Sequence, residues 1–280
     1  MKIFILGSTG MLGSNLAWQL NKIHPVTCVA REKINASRVY KLSDFCSPLP
    51  VEEGDYVINC IGVLKPQIKT STQALKINGI FPHSLANYCS KVGAHLIHFS
   101  SDCVFDGARG SYTEVDIPDA EDIYGIAKSL EPSNKAMILR TSFIGEEIYH
   151  KRNLVSWLQS QKNKTIKGYT NCLWNGVTCV ALSKIVEEIV FEDKYSVGLK
   201  HVFSPNTVSK FELCTAISNV YKLNIEVTPH KAEEISGTKI DGMLDRSLTS
   251  VFQEPLMPYE TILNQIKEQK CTKLQKLASV

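Results

Sequence analysis

Residues 2–6 make a short β-rich run that stops at Gly7, and Gly7-Ser8-Thr9-Gly10-Met11-Leu12-Gly13 leads straight into a segment of helical period at 12–21. A strand that breaks at a glycine turn and feeds a helix opens a parallel βαβ unit. The same alternation continues: β-rich runs lie at 26–30, 56–60, 96–100 and 136–140, and 81–92 reads as a helix with Pro82 near its first turn. Pro48 and Pro50 mark a loop. The pattern predicts an α/β fold, a Rossmann-type doubly wound parallel sheet wrapped by helices. After about residue 145 the alternation loosens. Residues 153–161, 182–191, 210–221 and 259–269 read as helices, with an aromatic and polar stretch at 168–176 between the first two, and the basic tail after Lys270 reads as a solvated end. The expected division is therefore a dinucleotide-binding domain at 1–145 and, at 146–280, a smaller lobe with some return of chain to the first domain.

Composition narrows the class. A chain of 280 residues with 44% hydrophobic and 21% charged residues can bury one or two ordinary cores. The net charge of +3, with no dense Lys/Arg run, excludes a nucleic-acid track. Nine cysteines, an odd number without a Cys-x-x-Cys pair, argue for reduced thiols in the cytoplasm and against a disulfide framework or a zinc site; no metal is expected. The apolar N-terminus stops at Gly7, and no apolar stretch approaches the ~20 residues that span a bilayer, so no membrane association is expected.

Gly7, Gly10 and Gly13 stand at i, i+3 and i+6. Glycine lets the backbone turn tightly and approach a pyrophosphate, whose charge then rests on the unpaired N–H groups of the helix N-terminus. A glycine pattern alone is also what any tight strand-to-helix turn shows; its place after the first strand favours dinucleotide binding. At the end of the second strand stands Arg31, which suits the 2′-phosphate of NADP(H). Glu32 beside it keeps NAD(H) open as the ribose ligand, and Arg31 can equally be a surface charge.

Tyr124 and Lys128 lie four residues apart, on one face of a helix. With 10 tyrosines in the chain the pair arises about once by chance, so its context carries the weight. Ser101 ends a central strand, where a doubly wound sheet places its crevice. In this arrangement the serine holds a reacting oxygen and the lysine ammonium lowers the tyrosine pKa, making a proton donor. If the strand persists, Ser101 and Cys103 point to one face. The plain alternative is a turn serine and a buried helix tyrosine.

Three stretches in order, Ser101-Asp102-Cys103-Val104-Phe105-Asp106-Gly107 with Tyr112-Thr113-Glu114, Tyr124 to Lys128, and Leu139-Arg140-Thr141-Ser142, make the chain similar to the extended short-chain dehydrogenase/reductases. Within them it resembles the dTDP-4-dehydrorhamnose reductase family from Lys2 to about Ser250. The resemblance implies NAD(P)H-dependent reduction of the 4-keto group of a nucleotide-linked 6-deoxyhexulose, in deoxysugar synthesis. It implies Ser101 as ligand of the carbonyl oxygen, Tyr124 as proton donor and Lys128 as tyrosine tuner and ribose ligand. Gly7, Gly10, Met11 and Leu12 correspond to the pyrophosphate loop, Cys60, Ile61 and Gly62 to the cofactor lining, and Asp44 and Phe45 to an adenine-side pair. Asp102, Phe143, Asn171 and Arg246 correspond more loosely to substrate-facing positions. The expected partner is a nucleotide sugar, and a homodimer is allowed.

The chain has Ser101-Asp102-Cys103 where rhamnose reductases usually show Thr-Asp-Tyr. That triplet is similar to GDP-fucose synthases and UDP-rhamnose-forming epimerase/reductases, whose cysteine exchanges protons at ring carbons beside the ketone. His150 or Lys151 lies near the expected partner position of the former, while the lysine expected from the latter falls on Trp157. Cys103 can equally be a small buried hydrophobe. Two other readings stay open: a non-catalytic NADP-binding regulatory subunit resembling that of methionine adenosyltransferase, and a nucleotide-sugar epimerase or dehydratase.

Overall fold

The computed structural model describes residues 1–30, 39–41, 49–235, 238–239 and 242–272. Arg31, Glu32, Asp44 and Phe45 lie outside the described residues.

The first half contains β1 (Ile3–Leu6), α1 (Met11–Leu20), β2 (Val26–Ala30), β3 (Val39–Lys41) and β4 (Tyr56–Asn59). A helix then runs as α2 (Ser71–Ala74), a wider π turn at Leu75–Ile80 and α3 (Phe81–Val92), followed by β5 (His95–Ser101), α4 (Ile123–Ser129), β6 (Met137–Thr141) and β7 (Phe143–Ile144). The second half holds α5 (Leu154–Ser160), β8 (Thr165–Tyr169), β9 (Cys172–Trp174), β10 (Val177–Thr178), α6 (Cys179–Phe191) and β11 (Gly198–His201). It ends with β12 (Val208–Ser209), α7 (Lys210–Tyr221), β13 (Glu226–His230), the hairpin β14 (Glu234–Ile235) and β15 (Thr238–Lys239), β16 (Leu244–Asp245) and α8 (Ile262–Cys271).

Seven strands form one sheet in the order β11-β6-β5-β4-β1-β2-β3, and every pairing in it is parallel. The chain winds outward from β1 in one direction and from β4 in the other, so the order reverses between β1 and β4. That switch point is where a doubly wound sheet opens its binding crevice. Alternate residues explain why helices cover both faces: Ile3 and Ile5 join the core under α1 and α6, while Phe4 and Leu6 join the one under α3.

Beyond Ile144 the chain builds a second core from Leu158, Trp174, Leu213, Ile217, Ile262 and Ile266. There β8 pairs with β13, and β9 lies between β12 and β16. Ser209 and Glu212 close a reciprocal capping box at the start of α7. The chain also returns twice to the large sheet. Leu182, Ile185, Val186 and Ile189 of α6 pack with Leu12, Leu16 and Leu20 of α1, and β11 adds the edge strand beside β6.

Candidate active site

The glycine turn is dictated by crowding. Gly7 has φ +73, and a Cβ there would stand 3.1 Å from the Cys60 carbonyl group; a Cβ on Gly13 would stand 2.3 Å from the Gly7 oxygen. The first turn of α1 starts at Gly10 without a side-chain cap and without an acidic residue. Its N–H groups and positive dipole end therefore face the switch-point crevice. On the opposite wall, the Cys60-Ile61-Gly62 turn after β4 is held by two asparagines. Asn59 Oδ1 accepts the Ile61 N–H at 3.1 Å, and Asn78, on the π turn, pairs with both backbone groups of Val63 at 2.9 and 3.0 Å.

Ser101 ends β5, and its hydroxyl accepts the Cys103 N–H at 3.1 Å while donating to Asp102 Oδ1 at 3.1 Å. A 3-10 turn over Asp102–Val104 follows, so strand alternation does not extend to Cys103 and the expectation that it shares a face with Ser101 through strand geometry does not hold. A glycine on α4 lets that helix approach this turn closely instead: a Cβ on Gly125 would stand 2.6 Å from the Cys103 carbonyl oxygen. Asp122 caps α4, its Oδ1 accepting the Tyr124 and Gly125 N–H groups at 3.0 and 3.2 Å, and its Oδ2 meets Lys65 Nζ at 3.0 Å.

Tyr124 and Lys128 are both 8% exposed. Lys128 donates to the Phe99 carbonyl at 3.0 Å, and its Nζ stands 3.5 Å from where a Cβ on Gly62 would be. Burial lowers its pKa to about 8, against the opposing charge of Glu131 and of Cys60. The sequence led to the expectation that this ammonium lowers the Tyr124 pKa. The structure corrects that: burial pushes the phenol above its ordinary value, reinforced by Cys103 and only partly offset by the Ser101 hydroxyl. The lysine charge is engaged on the β5 carbonyl, so Tyr124 is a protonated acid in this site.

Cys103 is faced by Arg246, whose Nη1 lies 3.8 Å from the sulfur while Nε and Nη2 donate to the carbonyls of Phe105 and Asp106 at 2.8 and 3.2 Å. Burial, then the Asp102 charge, push the thiol up to about 12, with the guanidinium opposing. His150 and Lys151 are exposed before α5, and Trp157 lies on α5, 45% exposed. Asp102 is buried beside Ser101. Phe143 begins β7 and packs against the core under α1. Asn171 has its amide bonded to backbone: Nδ2 to the Ala232 and Gly242 carbonyls at 2.9 and 2.8 Å, Oδ1 to the Ala232 N–H at 2.8 Å.

The remaining motif residues brace this centre from behind. Phe105 stacks on Tyr112 with ring centroids 4.1 Å apart, and the Arg140 guanidinium lies over Phe105. Arg140 Nη1 contacts His201 Nε2 at 3.2 Å, which makes that nitrogen the acceptor and leaves Nδ1 to donate to the Thr249 and Tyr112 carbonyls. Sequence reading missed Asn59, Asn78, Asp122 and His201. Only Asp122 carried a signal, an N-cap residue two positions before the tyrosine.

A parallel sheet with a glycine cradle at its switch point, and a Ser/Tyr/Lys set at the neighbouring strand edge, defines an extended short-chain dehydrogenase/reductase. Within that class the chain belongs to the dTDP-4-dehydrorhamnose reductase family: the model described as the RmlD substrate binding domain matches residues 1–251. Among curated relatives, rat methionine adenosyltransferase 2 subunit beta is 30% identical over 166 residues, covering 52% of this chain and 48% of the relative. The dTDP-4-dehydrorhamnose reductase of Mycobacterium tuberculosis is 30% identical over 161 residues, covering 51% and 50%. The chain thus spans about half the length of the curated relatives it matches. The crystal structure of dTDP-4-dehydrorhamnose reductase from Bacillus anthracis in complex with NADP superposes with a TM-score of 0.75 at 20% identity, over 97% of this chain and 99% of that one. Among the described residues no helix is long and apolar enough to cross a membrane.

Proposed function

We propose that this chain is an NADPH-dependent reductase of the 4-keto group of a nucleotide-linked 6-deoxyhexulose. The observation that carries the reading is the hydrogen bond of Ser101 with the Tyr124 phenol at the end of β5, with Lys128 one helical turn further on and buried beside Gly62. A regulatory subunit that only binds a dinucleotide needs none of the three. The cradle fits a nicotinamide dinucleotide: Gly7 and Gly13 leave room a side chain would fill, and the uncapped start of α1 suits a pyrophosphate. Gly7, Gly10, Met11, Leu12 and Gly13 would hold the pyrophosphate. Cys60, Ile61 and Gly62 would line the opposite wall, and Lys128 would meet the ribose. When bound, the cofactor supplies the reducing equivalent at the carbonyl carbon.

The chain's own part is proton chemistry and positioning. Ser101 orients the carbonyl oxygen, and the Tyr124 phenol gives its proton to that oxygen as negative charge develops. Burial, which raises the Tyr124 pKa, keeps the phenol in the protonated form that the reductive step draws on. Arg246, fixed by two backbone carbonyls, retains N–H donors for the substrate, and Asp102 and Phe143 are assigned with it to the substrate side. We assign residues 1–145 mainly to the dinucleotide and most of 146–280 to the sugar nucleotide. Cys103 supports a finer reading, exchange of a ring proton at C3 or C5 before reduction.

The test is a panel of dTDP-, UDP- and GDP-linked 4-keto-6-deoxyhexoses incubated with NADPH or NADH, followed by nicotinamide absorbance, with products identified by NMR. Reduction at C4 is expected. Tight NADPH binding with no turnover of any member would instead assign the chain to the non-catalytic subunits, the role suggested by the name of the methionine adenosyltransferase relatives.

A further inference from the structure

The C-terminal helix α8 lies beyond the residues matched by the family model, yet it reaches the helix that opens the glycine cradle. On the buried face of α8, Ile262 and Ile266 complete the core of the second lobe. The same buried face carries Gln265 and Gln269, 1% and 2% exposed, and their amides serve different parts of the molecule. Gln265 accepts the Thr178 N–H at 3.1 Å and donates to Ser204 Oγ and the Glu260 carbonyl at 2.8 and 2.9 Å, so all its bonds lie in the second half of the chain. Gln269 accepts the Val180 N–H at the start of α6 at 3.1 Å and donates to Asn15 Oδ1 at 3.2 Å.

Asn15 sits one turn into α1 and is 1% exposed. Its Nδ2 donates to the Met11 carbonyl at 2.7 Å and to the Glu146 carbonyl at 3.2 Å. Gly145 packs against the same node, for a Cβ there would stand 3.3 Å from Gln269 Oε1. One amide pair therefore joins the first turn of α1, the turn after β7, the start of α6 and the C-terminal helix. A buried amide oxygen that loses its donor must find another partner or turn away. If Asn15 turns, the Met11 and Glu146 carbonyls lose their shared contact, and the first turn of α1 loses its fixed place.

From this we infer that Gln269 is a positioning residue for dinucleotide binding, acting through Asn15 on the N–H groups at the start of α1. The inference rests on the cofactor reading above. It makes α8 part of the cofactor site, although no residue of α8 belongs to the glycine cradle.

The experiment measures the NADPH dissociation constant by nicotinamide fluorescence, together with Tm, for the full chain and for Gln269→Glu, Gln269→Leu and Gln265→Leu. Gln269→Glu keeps an acceptor for the Val180 N–H at a helix N-terminus that favours negative charge, and removes the donor to Asn15. Both Gln269 variants are expected to bind NADPH roughly three- to tenfold more weakly, the range one buried hydrogen bond commands. Gln265→Leu should lower Tm while leaving NADPH affinity at the parent value. Equal affinity in the parent and Gln269→Glu overturns the inference, as does an equal loss in Gln269→Leu and Gln265→Leu, which would mark general loosening. A parent chain that binds no NADPH overturns the cofactor reading and this inference together, whereas a binding parent with unaffected Gln269 variants overturns this inference alone.

Discussion

Arg140 and Glu131 meet as a two-point ion pair, Nε to Oε1 at 3.1 Å and Nη2 to Oε2 at 2.8 Å, with side chains only 2% and 7% exposed. The pair ties a residue two positions past α4 to β6, the strand next to the edge of the sheet. It therefore fixes the far end of the helix whose first turn carries Tyr124. The Glu131 charge is also the main influence that holds the Lys128 pKa up against burial. Glu131→Gln leaves the guanidinium buried with one acceptor fewer. A loss of about 3 to 5 kcal/mol in unfolding free energy is expected, as for a buried pair broken on one side. Urea unfolding measures it, and a loss under 1 kcal/mol would place the pair among weak surface bridges.

His201 gives stability a dependence on pH. Burial, then the Arg140 charge, lower its pKa to about 4, while an unfolded histidine titrates near 6.5. Between these values the unfolded chain binds a proton that the folded chain does not, so stability is complete above pH ~6.5 and falls as pH drops towards 4. The loss from this residue amounts to at most about 3 kcal/mol. His98, buried beside Lys128 and bonded to Asn59, shifts in the same direction and adds to the effect. Denaturant unfolding from pH 7 to 4.5 should show a decline that flattens in His201→Gln. A parent curve flat over that range would contradict the neutral, buried assignment.

Lys128 sets a basic limb for activity. With its pKa at about 8, the ammonium is lost as pH rises through that value, whereas Tyr124 keeps its proton well beyond. Since kcat/KM reports groups of the free enzyme, kcat/KM for ketone reduction should fall above pH ~8. The same limb should be missing from the residual activity of Lys128→Ala. A profile that stays flat as pH rises through ~8 would show that Lys128 is not the titrating group.

The large sheet was legible because its strands are buried on both faces: the runs at 2–6, 26–30, 56–60, 96–100 and 136–140 each fall within about a residue of β1, β2, β4, β5 and β6. The edge strand β11 was not. Its Gly-Leu-Lys-His sequence is half-buried from Gly198 to Lys200 and shows no apolar alternation. The helix at 71–80 was hidden by Asn78 and Gly79, poor helix formers kept for tertiary reasons: Asn78 holds the Val63 backbone, and a Cβ on Gly79 would stand 2.9 Å from Leu130. Ser101, Tyr124 and Lys128 were readable because the proposed chemistry needs those residue types. The phenol's pKa was not, because burial outweighs a neighbouring charge only once the fold shows where that charge points.

Tyr124→Phe should abolish most ketone reduction while leaving NADPH affinity nearly intact, since the ring stays and only the proton donor goes. General acid catalysis is typically worth ~10²- to 10⁴-fold in rate. A loss in kcat below tenfold would remove Tyr124 from the acid role and return Ser101 and Lys128 to ordinary structural duties.

Cys103 carries the last prediction. Its thiol, pushed up to about 12, stays protonated at neutral pH and is unsuited to remove a ring proton unaided. It is suited to the reverse transfer, returning a proton to an enolate carbon beside the 4-keto group after a separate base has taken that carbon's own proton. The Arg246 guanidinium at 3.8 Å would stabilise the thiolate left behind. The pairing with Arg246 follows from geometry, since the guanidinium is locked by the Phe105 and Asp106 carbonyls and cannot swing away without losing both bonds. In D₂O, with a 4-keto sugar nucleotide and no reductant, the native protein should incorporate deuterium at C3 or C5. Cys103→Ser should lose that exchange and still reduce a ketone supplied in its epimerised form, while Arg246→Gln should slow exchange without relocating it. Native protein that reduces its substrate with no solvent deuterium at either carbon would leave Cys103 as packing against Arg246 and the chain as a simple ketoreductase.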